Sequence, residues 1–206
     1  MAMTRRGGLA AAALGVGSVM LGASGVRAAN GSAVIEVRGR PGETQGQLRI
    51  AGRAYGCSLG RAGIFIAKHE GDGSTPMGRF ALRELRYRAD RIALPATGLS
   101  AHPILANDGW CDDPADRAYN RLVSLPYSAS AETLTRDDHL YDALVVIGFN
   151  DAPVRPAAGS AIFLHVARGE PGALEPTAGC VALTLEDLRE VLAHCRPTTE
   201  IDIALI

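Results

Sequence analysis

The sequence predicts one mostly β domain with one or two helices. Short apolar or β-branched segments bounded by glycines recur along the chain, which is typical of strands. The stretch from Tyr87 to Arg136 is predicted to be irregular, because prolines exclude long helices there: Pro95, Pro103, Pro114 and Pro126. One helical repeat of apolar residues occurs near the C-terminus, at Leu185, Leu188, Val191 and Leu192.

The first half of this domain contains four predicted strands. Their sequences are VIEV (34–37), QLRIA (47–51), IFIA (64–67) and GRFAL (78–82). The fourth follows a turn signal at Thr75-Pro76. No internal repeat or linker marks a domain boundary.

The second half contains the strongest strand candidates, LVVIGF (144–149) and AIFLHVA (161–167). Thr184 and Asp187 resemble a capping box and predict the start of a helix that ends near Arg196. The alternating segment EIDIALI (200–206) predicts a final strand.

Residues 1–28 have the layout of a secretory signal peptide: two arginines, an uncharged apolar stretch over 9–21, and a small-x-small site at Val26-Arg27-Ala28. The apolar stretch is shorter than the roughly 20 residues that span a bilayer, although an uncleaved membrane anchor stays an alternative. We therefore expect a mature domain over 29–206 that lies in the periplasm without membrane attachment.

The composition excludes several classes of protein. With 206 residues, 47% of them hydrophobic and 21% charged, the chain is too apolar for a disordered protein. A formal net charge of −1 indicates no basic surface, so we expect no nucleic-acid partner. Lys68 is the only lysine among 21 basic residues, and we expect it to form a solvated turn with His69, Glu70 and Asp72.

One arrangement of residues is suited to nucleophilic catalysis. His165 lies near the end of a predicted strand, and Cys180 follows Gly179 in the segment after the next loop. A thiol attacks carbonyl carbon as the thiolate, and a neighbouring imidazole can take its proton. Glycine lets backbone N–H groups approach a developing oxyanion. The two side chains also fit structural roles, as a buried apolar thiol and a hydrogen-bonded core histidine.

The segment GSAIFLHVARGEPGALEPTAGCVALTLEDL resembles the active-site region of the L,D-transpeptidase (YkuD-type) catalytic domain family. Four further segments resemble the family in the same order along the chain: EGDGSTPMGRF (70–80), GWCDDP (109–114), YNRLVSLP (119–126) and LYDALVVIGFN (140–150). Together they cover most of residues 55–195 and are similar to a divergent proteobacterial branch.

This resemblance implies a sandwich-like, mostly β fold and a periplasmic enzyme that acts on peptidoglycan stem peptides. By the family motif, Cys180 is the nucleophile, His165 the general base, and the N–H of Gly179 or Cys180 an oxyanion donor. The thiolate attacks the carbonyl after an L-centre and expels a D-amino acid, and an amine of another stem resolves the acyl-enzyme into a cross-link. We expect a monomer that needs neither a metal nor an organic cofactor, since proton transfer and charge stabilisation suffice.

Three further residues are candidates for substrate contact. Trp110, the only tryptophan, lies in a loop rich in Gly and Asp, where it either lines a groove or fills the edge of a core. Tyr141 precedes a strong strand, where a substrate-facing phenol and a buried phenol both fit. Thr177 opens the Thr-Ala-Gly-Cys motif.

Two positions depart from the family motif. Position 178 is alanine where the family usually has histidine, and Ala182 stands where many members have arginine or asparagine. Either a different donor stem is used, or another residue supplies the missing contacts; some relatives join L-Ala to diaminopimelate. A hydrolase with water as the acceptor and a catalytically silent peptidoglycan-binding domain are the alternatives.

The chain has four cysteines, which in an oxidising compartment form disulfides or remain free thiols. We expect a Cys57–Cys111 bridge, since both residues flank regular segments away from the site, and a buried free thiol at Cys195. A surplus thiol beside Cys180 would expose the nucleophile to oxidation. No CxxC or HxxxH spacing indicates a metal site.

Overall fold

The computed structural model describes residues 1–2 and 33–206. The predicted signal peptide therefore lies outside the described residues, apart from its first two. The segment Gly31–Ile206 forms one compact unit. In the described part of the chain, no helix has the length and apolar character required to cross a membrane.

Sixteen strands and one helix make up the described part of the chain. The first eight strands are β1 (Val34–Gly39), β2 (Gln45–Ile50), β3 (Arg53–Ser58), β4 (Ile64–Phe65), β5 (Thr75–Pro76), β6 (Gly78–Tyr87), β7 (Ala101–Pro103) and β8 (Asp108–Cys111). The remaining elements are β9 (Leu122–Ser124), β10 (Ala131–Thr133), β11 (Ala143–Ile147), β12 (Phe163–Val166), β13 (Gly169–Glu170), β14 (Ala173–Leu174), β15 (Val181–Leu183), α1 (Leu185–His194) and β16 (Glu200–Leu205). The predicted mostly β fold with one or two helices is confirmed.

The main sheet has nine strands in the order β11-β12-β15-β3-β2-β1-β16-β6-β7, and β6 also pairs with β11. Strand β6 closes the sheet on itself because its first residues pair with β16 and its later residues pair with β11. The register places Phe80 opposite Ile201 and Leu85 opposite Val145. The result is a closed, sandwich-like sheet that encloses an apolar interior.

The helix α1 begins where the sequence predicts and packs against this interior. The Thr184 hydroxyl caps it by accepting a hydrogen bond from the Asp187 N–H over 3.1 Å, which satisfies one of the free N–H groups of the first turn. The helix ends at His194 because Cys195 adopts an extended conformation. Its apolar stripe, formed by Leu188, Val191 and Leu192, is fully buried.

Strands β11 and β12 are buried on both faces, and their residues alternate between two apolar clusters. Ala143, Val145, Ile147, Ile162, Leu164 and Val166 point to the inner core inside the sheet. Leu144, Val146 and Phe163 belong to an outer core together with Trp110 and Tyr141. The alternation follows from the two-residue period of a strand.

The outer core is covered by residues 104–141, which we call the cover. It contains a small sheet in the order β10-β8-β9 and otherwise runs as loops, as the prolines predict. Ile104, Trp110, Leu134 and Tyr141 come from the cover and pack on the outer face of β11 and β12. This second layer gives the outer face its partly enclosed environment.

Several strand assignments differ from the sequence prediction, including the short strands β7 to β10, which form within the stretch predicted to be irregular. The segment IFIA shortens to β4, because Phe65 and Ile66 are exposed and only two residues pair with β5. Strand β3, of sequence RAYGCS, was not predicted, because it contains an arginine and the small residues Ala54, Gly56 and Ser58 in place of an apolar run. Strand β15 was not predicted, because its residues belong to the proposed catalytic motif, and it begins immediately after Cys180.

The expected Cys57–Cys111 disulfide is wrong, because all four cysteines are free thiols. Cys57 lies in β3 and points to the inner core, whereas Cys111 lies in β8 of the cover. The two thiols therefore belong to different sheets. Both are completely buried, as is Cys195.

Candidate active site

Cys180 and His165 lie on the outer face of two adjacent parallel strands. Strand β12 pairs with β15 so that Leu164 is opposite Val181 and His165 is opposite Ala182. Since Val181 points to the inner core, Cys180 immediately before it points outward. The two-residue period thus places the thiol and the imidazole at diagonal positions of one face.

The Cys180 thiol is held by two backbone groups of strand β12 and the residues before it. Its Sγ accepts a hydrogen bond from the Phe163 N–H and donates one to the Ala161 carbonyl, each over 3.3 Å. Ala161 has a φ of 51°, a left-handed conformation that is uncommon for a residue with a Cβ. That conformation presents its carbonyl to the thiol.

The resting thiol is protonated. Burial raises the pKa of Cys180 to about 12, whereas the Phe163 N–H and the positive charge of Lys68 act in the opposite direction. The side chain is 6% exposed, in contrast to the fully buried thiols of Cys57 and Cys195. Cys180 is thus the cysteine that reaches the surface of a cavity, while the other two are enclosed in the inner core.

The His165 ring is oriented by its own strand. Nδ1 lies 2.8 Å from the Val166 carbonyl oxygen, so Nδ1 carries the proton and Nε2 keeps its lone pair. Burial lowers the pKa of His165 to about 4, although the carbonyls of Val166 and Leu140 act in the opposite direction. At neutral pH the imidazole is therefore uncharged and suited to accept a proton.

No hydrogen bond joins His165 to Cys180, because the thiol donates to Ala161 instead. Both side chains nevertheless line one cavity of about 580 Å³. The arrangement at rest is a neutral thiol and a neutral imidazole that open to the same cavity. Catalytic hydrogen bonds are often absent or long before substrate binds.

The loop before Cys180 is fixed by Thr177. Its hydroxyl donates to the Cys180 carbonyl over 2.7 Å and accepts from the Gly179 N–H over 3.1 Å. Gly179 has a φ of 148°, and a Cβ there would lie 2.8 Å from the Ser74 carbonyl oxygen. Glycine is therefore required at 179 by both conformation and space. Thr177 lines the cavity, but its hydroxyl is engaged inside this loop.

Tyr141 connects the cover to His165. Its ring packs edge-on against the His165 ring at 5.4 Å and against Phe163 at 5.8 Å. Its hydroxyl donates to Glu132 Oε1 over 2.6 Å, and the Arg136 guanidinium lies 5.2 Å above the Tyr141 ring. Tyr141 is a buried phenol that lines the cavity, and its contact with substrate stays a prediction.

Trp110 occupies a different place from the other candidates. It is buried in the outer core, where its ring packs edge-on against Phe163 at 5.2 Å and its Nε1–H donates to Asn120 over 3.0 Å. It is absent from the residues that line the cavity. Trp110 therefore fills a core edge behind Phe163, and a contact with substrate stays a prediction.

Sequence reasoning gave no site role to the charged residues that line the cavity, which among the described residues number eight and include Lys68, Glu132 and Arg136. The prediction of a solvated turn around Lys68 is wrong for Lys68 itself, because its side chain is only 4% exposed. Asp72 holds it there, through an ion pair of 2.8 Å with the Lys68 ammonium. Its status as the only lysine among 21 basic residues was the one sequence signal that marked it.

The polar groups of this cavity suit proton transfer and hydrogen bonding. Within residues 1–2 and 33–206, no three His, Cys, Asp or Glu side chains come together in an arrangement that would hold a metal ion. The chemistry that the arrangement supports is nucleophilic attack by sulfur with the imidazole as proton acceptor.

Comparison with solved structures shows a likeness to L,D-transpeptidase 1 of Mycobacterium tuberculosis. The identity is 10% and the TM-score is 0.37, with 84% of this chain and 63% of that chain covered. This chain therefore spans less than two thirds of that structure. No curated protein sequence matches the chain.

Comparison with protein families agrees with the resemblance carried by the sequence motifs. The family model described as the YkuD L,D-transpeptidase catalytic domain matches residues 43–203. That range contains the outer face of β12 and β15, the cover and the cavity. Because the match spans far more than half of the chain, the protein belongs to the YkuD family of L,D-transpeptidase catalytic domains.

Proposed function

We propose that this protein is a periplasmic L,D-transpeptidase that cross-links peptidoglycan stem peptides through a Cys180 acyl-enzyme. The observation that carries the proposal is the placement of Cys180 and His165 on one strand face, lining one cavity. The family match supports the reaction class. The periplasmic location rests on the signal peptide predicted over residues 1–28.

Acylation begins when rotation of the Cys180 side chain takes its S–H from the Ala161 carbonyl toward His165 Nε2. The thiol proton moves to Nε2, and sulfur forms a bond to the carbonyl carbon after the L-centre of the donor stem. The carbon–nitrogen bond then breaks, and the imidazolium proton goes to the nitrogen of the leaving D-amino acid. A thioester on Cys180 and a neutral His165 remain.

Deacylation repeats these steps with a new nucleophile. The side-chain amine of an acceptor stem attacks the thioester carbon, His165 Nε2 takes a proton from that amine, and sulfur leaves and recovers the proton. An amide cross-link forms and the resting thiol is restored. With a diaminopimelate acceptor and a donor whose scissile amide bond follows L-Ala, the product is the L-Ala to diaminopimelate link.

The oxyanion donor is the backbone N–H of Cys180. The sequence left Gly179 and Cys180 as alternatives, but the Gly179 N–H donates to Thr177 Oγ1. Thr177 is then a positioning residue, because its hydroxyl holds the Gly179 N–H and the Cys180 carbonyl in place. A fixed donor at the carbonyl oxygen contributes more in a partly enclosed cavity than in water.

The neutral resting pair determines how the thiolate forms. With a thiol pKa of about 12 and an imidazole pKa of about 4, no ion pair exists before substrate binds. The proton therefore moves to His165 as sulfur attacks, and a cysteine in this state resists oxidation, which acts on the thiolate. That property suits a nucleophile in an oxidising compartment.

The first experiment separates transpeptidation from its alternatives. Isolated sacculi are incubated with wild-type protein and with Cys180→Ala, and the muropeptides are analysed by mass spectrometry. We expect new cross-linked species with the wild type only, and fragmentation identifies the donor residue as L-Ala or diaminopimelate. Shortened stems without new cross-links would identify a hydrolase, and identical muropeptides from both proteins would favour a silent binding domain.

A second experiment tests the catalytic pair directly. Labelling of Cys180 by an acylating carbapenem is followed by intact-protein mass spectrometry for wild type and His165→Ala. We expect labelling to slow by roughly 100-fold or more in the variant, which is the usual share of general-base catalysis. Equal rates for the two proteins would contradict the assignment of His165 as the base.

A further inference from the structure

We propose that Lys68 is the carboxylate-binding residue of the donor site, where its ammonium binds the free carboxylate of the D-residue that leaves during acylation. The inference rests on the proposed function, since that reaction expels a D-amino acid. It supplies the contact that Ala178 and Ala182 lack: both residues line the cavity, and neither carries a charge.

The position of Lys68 relative to the nucleophile is the first observation. A Cβ built on Gly179 would lie 3.3 Å from Lys68 Nζ, so the ammonium lies directly against the residue that precedes Cys180. Among the described residues, four cationic side chains line the cavity: Arg61, Lys68, Arg136 and Arg168. Lys68 is the one among them whose charge lowers the pKa of the Cys180 thiol, against the larger effect of burial.

The unused hydrogen-bonding capacity of Lys68 is the second observation. An ammonium group has three N–H donors, and within the described residues Asp72 is its one hydrogen-bond partner. The other two donors belong to a side chain that is 4% exposed and lines the cavity. A buried cation with unused donors is suited to an anionic oxygen, for which charge-assisted hydrogen bonds are strong.

Asp72 fixes the ammonium in place. Its carboxylate accepts hydrogen bonds from Lys68, from the His69 and Ser74 N–H groups and from the Ser74 hydroxyl. Burial by itself would raise the pKa of Asp72, but these four hydrogen bonds together hold the pKa well below its usual range. Asp72 is therefore charged throughout the working pH range and acts as a positioning residue for Lys68.

The ion pair also distinguishes carboxylate binding from activation of the nucleophile. Because Asp72 neutralises much of the Lys68 charge, the field at the sulfur is weak, and the pKa of Cys180 remains at about 12. A hydrogen bond donated directly by the Lys68 ammonium to a carboxylate oxygen depends little on the electric field at the Cys180 sulfur. The Lys68 ammonium lies beside Gly179, the residue before the nucleophile, so the carboxylate next to the scissile amide is the anionic group that the proposal assigns to it.

The test compares two synthetic donors that differ in one group: a stem peptide ending in a D-residue with a free carboxylate, and the same peptide as a carboxamide. Formation of the Cys180 acyl-enzyme is followed by mass spectrometry. For the wild type we expect kcat/KM to be about 10- to 100-fold higher for the carboxylate, the range expected for one charge-assisted hydrogen bond. Equal kcat/KM values for the two peptides with the wild-type protein would by themselves overturn the inference.

Lys68→Met should remove this discrimination, by slowing the carboxylate donor to the rate of the carboxamide, whereas Lys68→Arg should restore part of it. Arg83→Met is the matched control, since it removes an aspartate-paired cation outside the cavity, 2.7 Å from Asp151. The control should keep the wild-type ratio. Melting temperatures confirm that each variant is folded, and Lys68→Gln replaces Lys68→Met if the latter is not.

A neutral alkylating reagent distinguishes the two possible roles of the Lys68 charge, which are binding of the donor carboxylate and activation of the Cys180 thiol. Iodoacetamide should label Cys180 at nearly the same rate in wild type and Lys68→Met, because burial affects the pKa of the Cys180 thiol more than the Lys68 charge does. Slower alkylation together with equal losses for both peptides would show that Lys68 acts on the thiolate, and would overturn the carboxylate assignment. If wild type forms an acyl-enzyme with neither peptide, the proposed function itself fails.

Discussion

The inner and outer faces of strands β11, β12 and β15 have the same residue period but different contents. The inner face is made of apolar side chains such as Val145, Leu164 and Val181, each completely buried against the helix and the opposite strands. The outer face carries Cys180 and His165 under a cover of loops. A regular two-residue period thus lets one strand supply stability on one side and chemistry on the other.

The difference between the faces lies in what covers them. The inner core is enclosed by regular elements and consists mainly of apolar side chains, and polar atoms within it such as the Cys195 thiol and the Tyr55 hydroxyl are hydrogen-bonded. The cover leaves a cavity of about 580 Å³ whose lining contains charged and polar groups, and among the described residues Asp112 Oδ1 is buried there without a hydrogen-bond partner. Rigid strands position the nucleophile and the base, while loops shape the space around them.

The largest expected effect contrasts two cysteines. Cys180→Ala should abolish acyl-enzyme formation, because it removes the sulfur that forms the thioester and no other cysteine among the described residues lines the cavity. Cys195→Ala, on the inner face, should leave acylation unchanged and lower the free energy of unfolding by about 1 kcal/mol. Acylation of both variants is measured by mass spectrometry, and their stability is measured by urea unfolding. A loss of acylation in Cys195→Ala would contradict the separation of catalytic and structural roles between the two cysteines.

Leu164→Ala tests the inner face beside His165. Leu164 is fully buried, so its truncation should cost about 2–5 kcal/mol of stability. Far below its melting temperature, the folded variant should acylate at the wild-type rate, because the outer face is untouched. Urea unfolding and acylation kinetics measure the two effects; a large kinetic loss with little loss of stability would contradict the separation of the faces.

The pH dependence of stability tests the burial of His165. Burial lowers its pKa to about 4, below the ordinary 6.5 that applies when the chain is unfolded. Between these values the unfolded chain binds a proton that the folded chain does not, so stability should fall as pH decreases from 6.5 to 4. His165→Gln should flatten this dependence by up to about 3 kcal/mol, measured by urea unfolding across the range. If the free energy of unfolding depended on pH in the same way in the two proteins, His165 would be more exposed to solvent than its burial in this structure indicates.

The smallest effect concerns the helix that packs on the inner face. Thr184→Ala removes the hydroxyl that accepts the Asp187 N–H, and should cost about 1 kcal/mol of stability without changing acylation. Thr184→Ser is the matched variant, since it keeps the hydroxyl, and should recover most of the loss in a thermal unfolding experiment. Equal destabilisation by both substitutions would show that the methyl group, not the cap, matters.

Local patterns explain which parts of the fold were predictable. The apolar period in β1, β11, β12 and β16 and the cap at Thr184 are short-range signals, so the sequence reveals them directly. Strands β3 and β15 lack such a signal, because their assignment depends on the partners they meet. The disulfide was mispredicted for a related reason, since the spacing of Cys57 and Cys111 says nothing about which sheet each one joins.

The sequence by itself determined the residues that carry the motif: a histidine in a buried strand, and a cysteine after a glycine that the backbone requires. Only the tertiary structure decided what surrounds them. Lys68 becomes a buried cation beside Gly179, and Tyr141 packs on the His165 ring, because segments far apart in the sequence meet at one cavity. Charge and burial at such a place depend on the neighbours that folding brings, and a single sequence does not encode those neighbours as a local pattern.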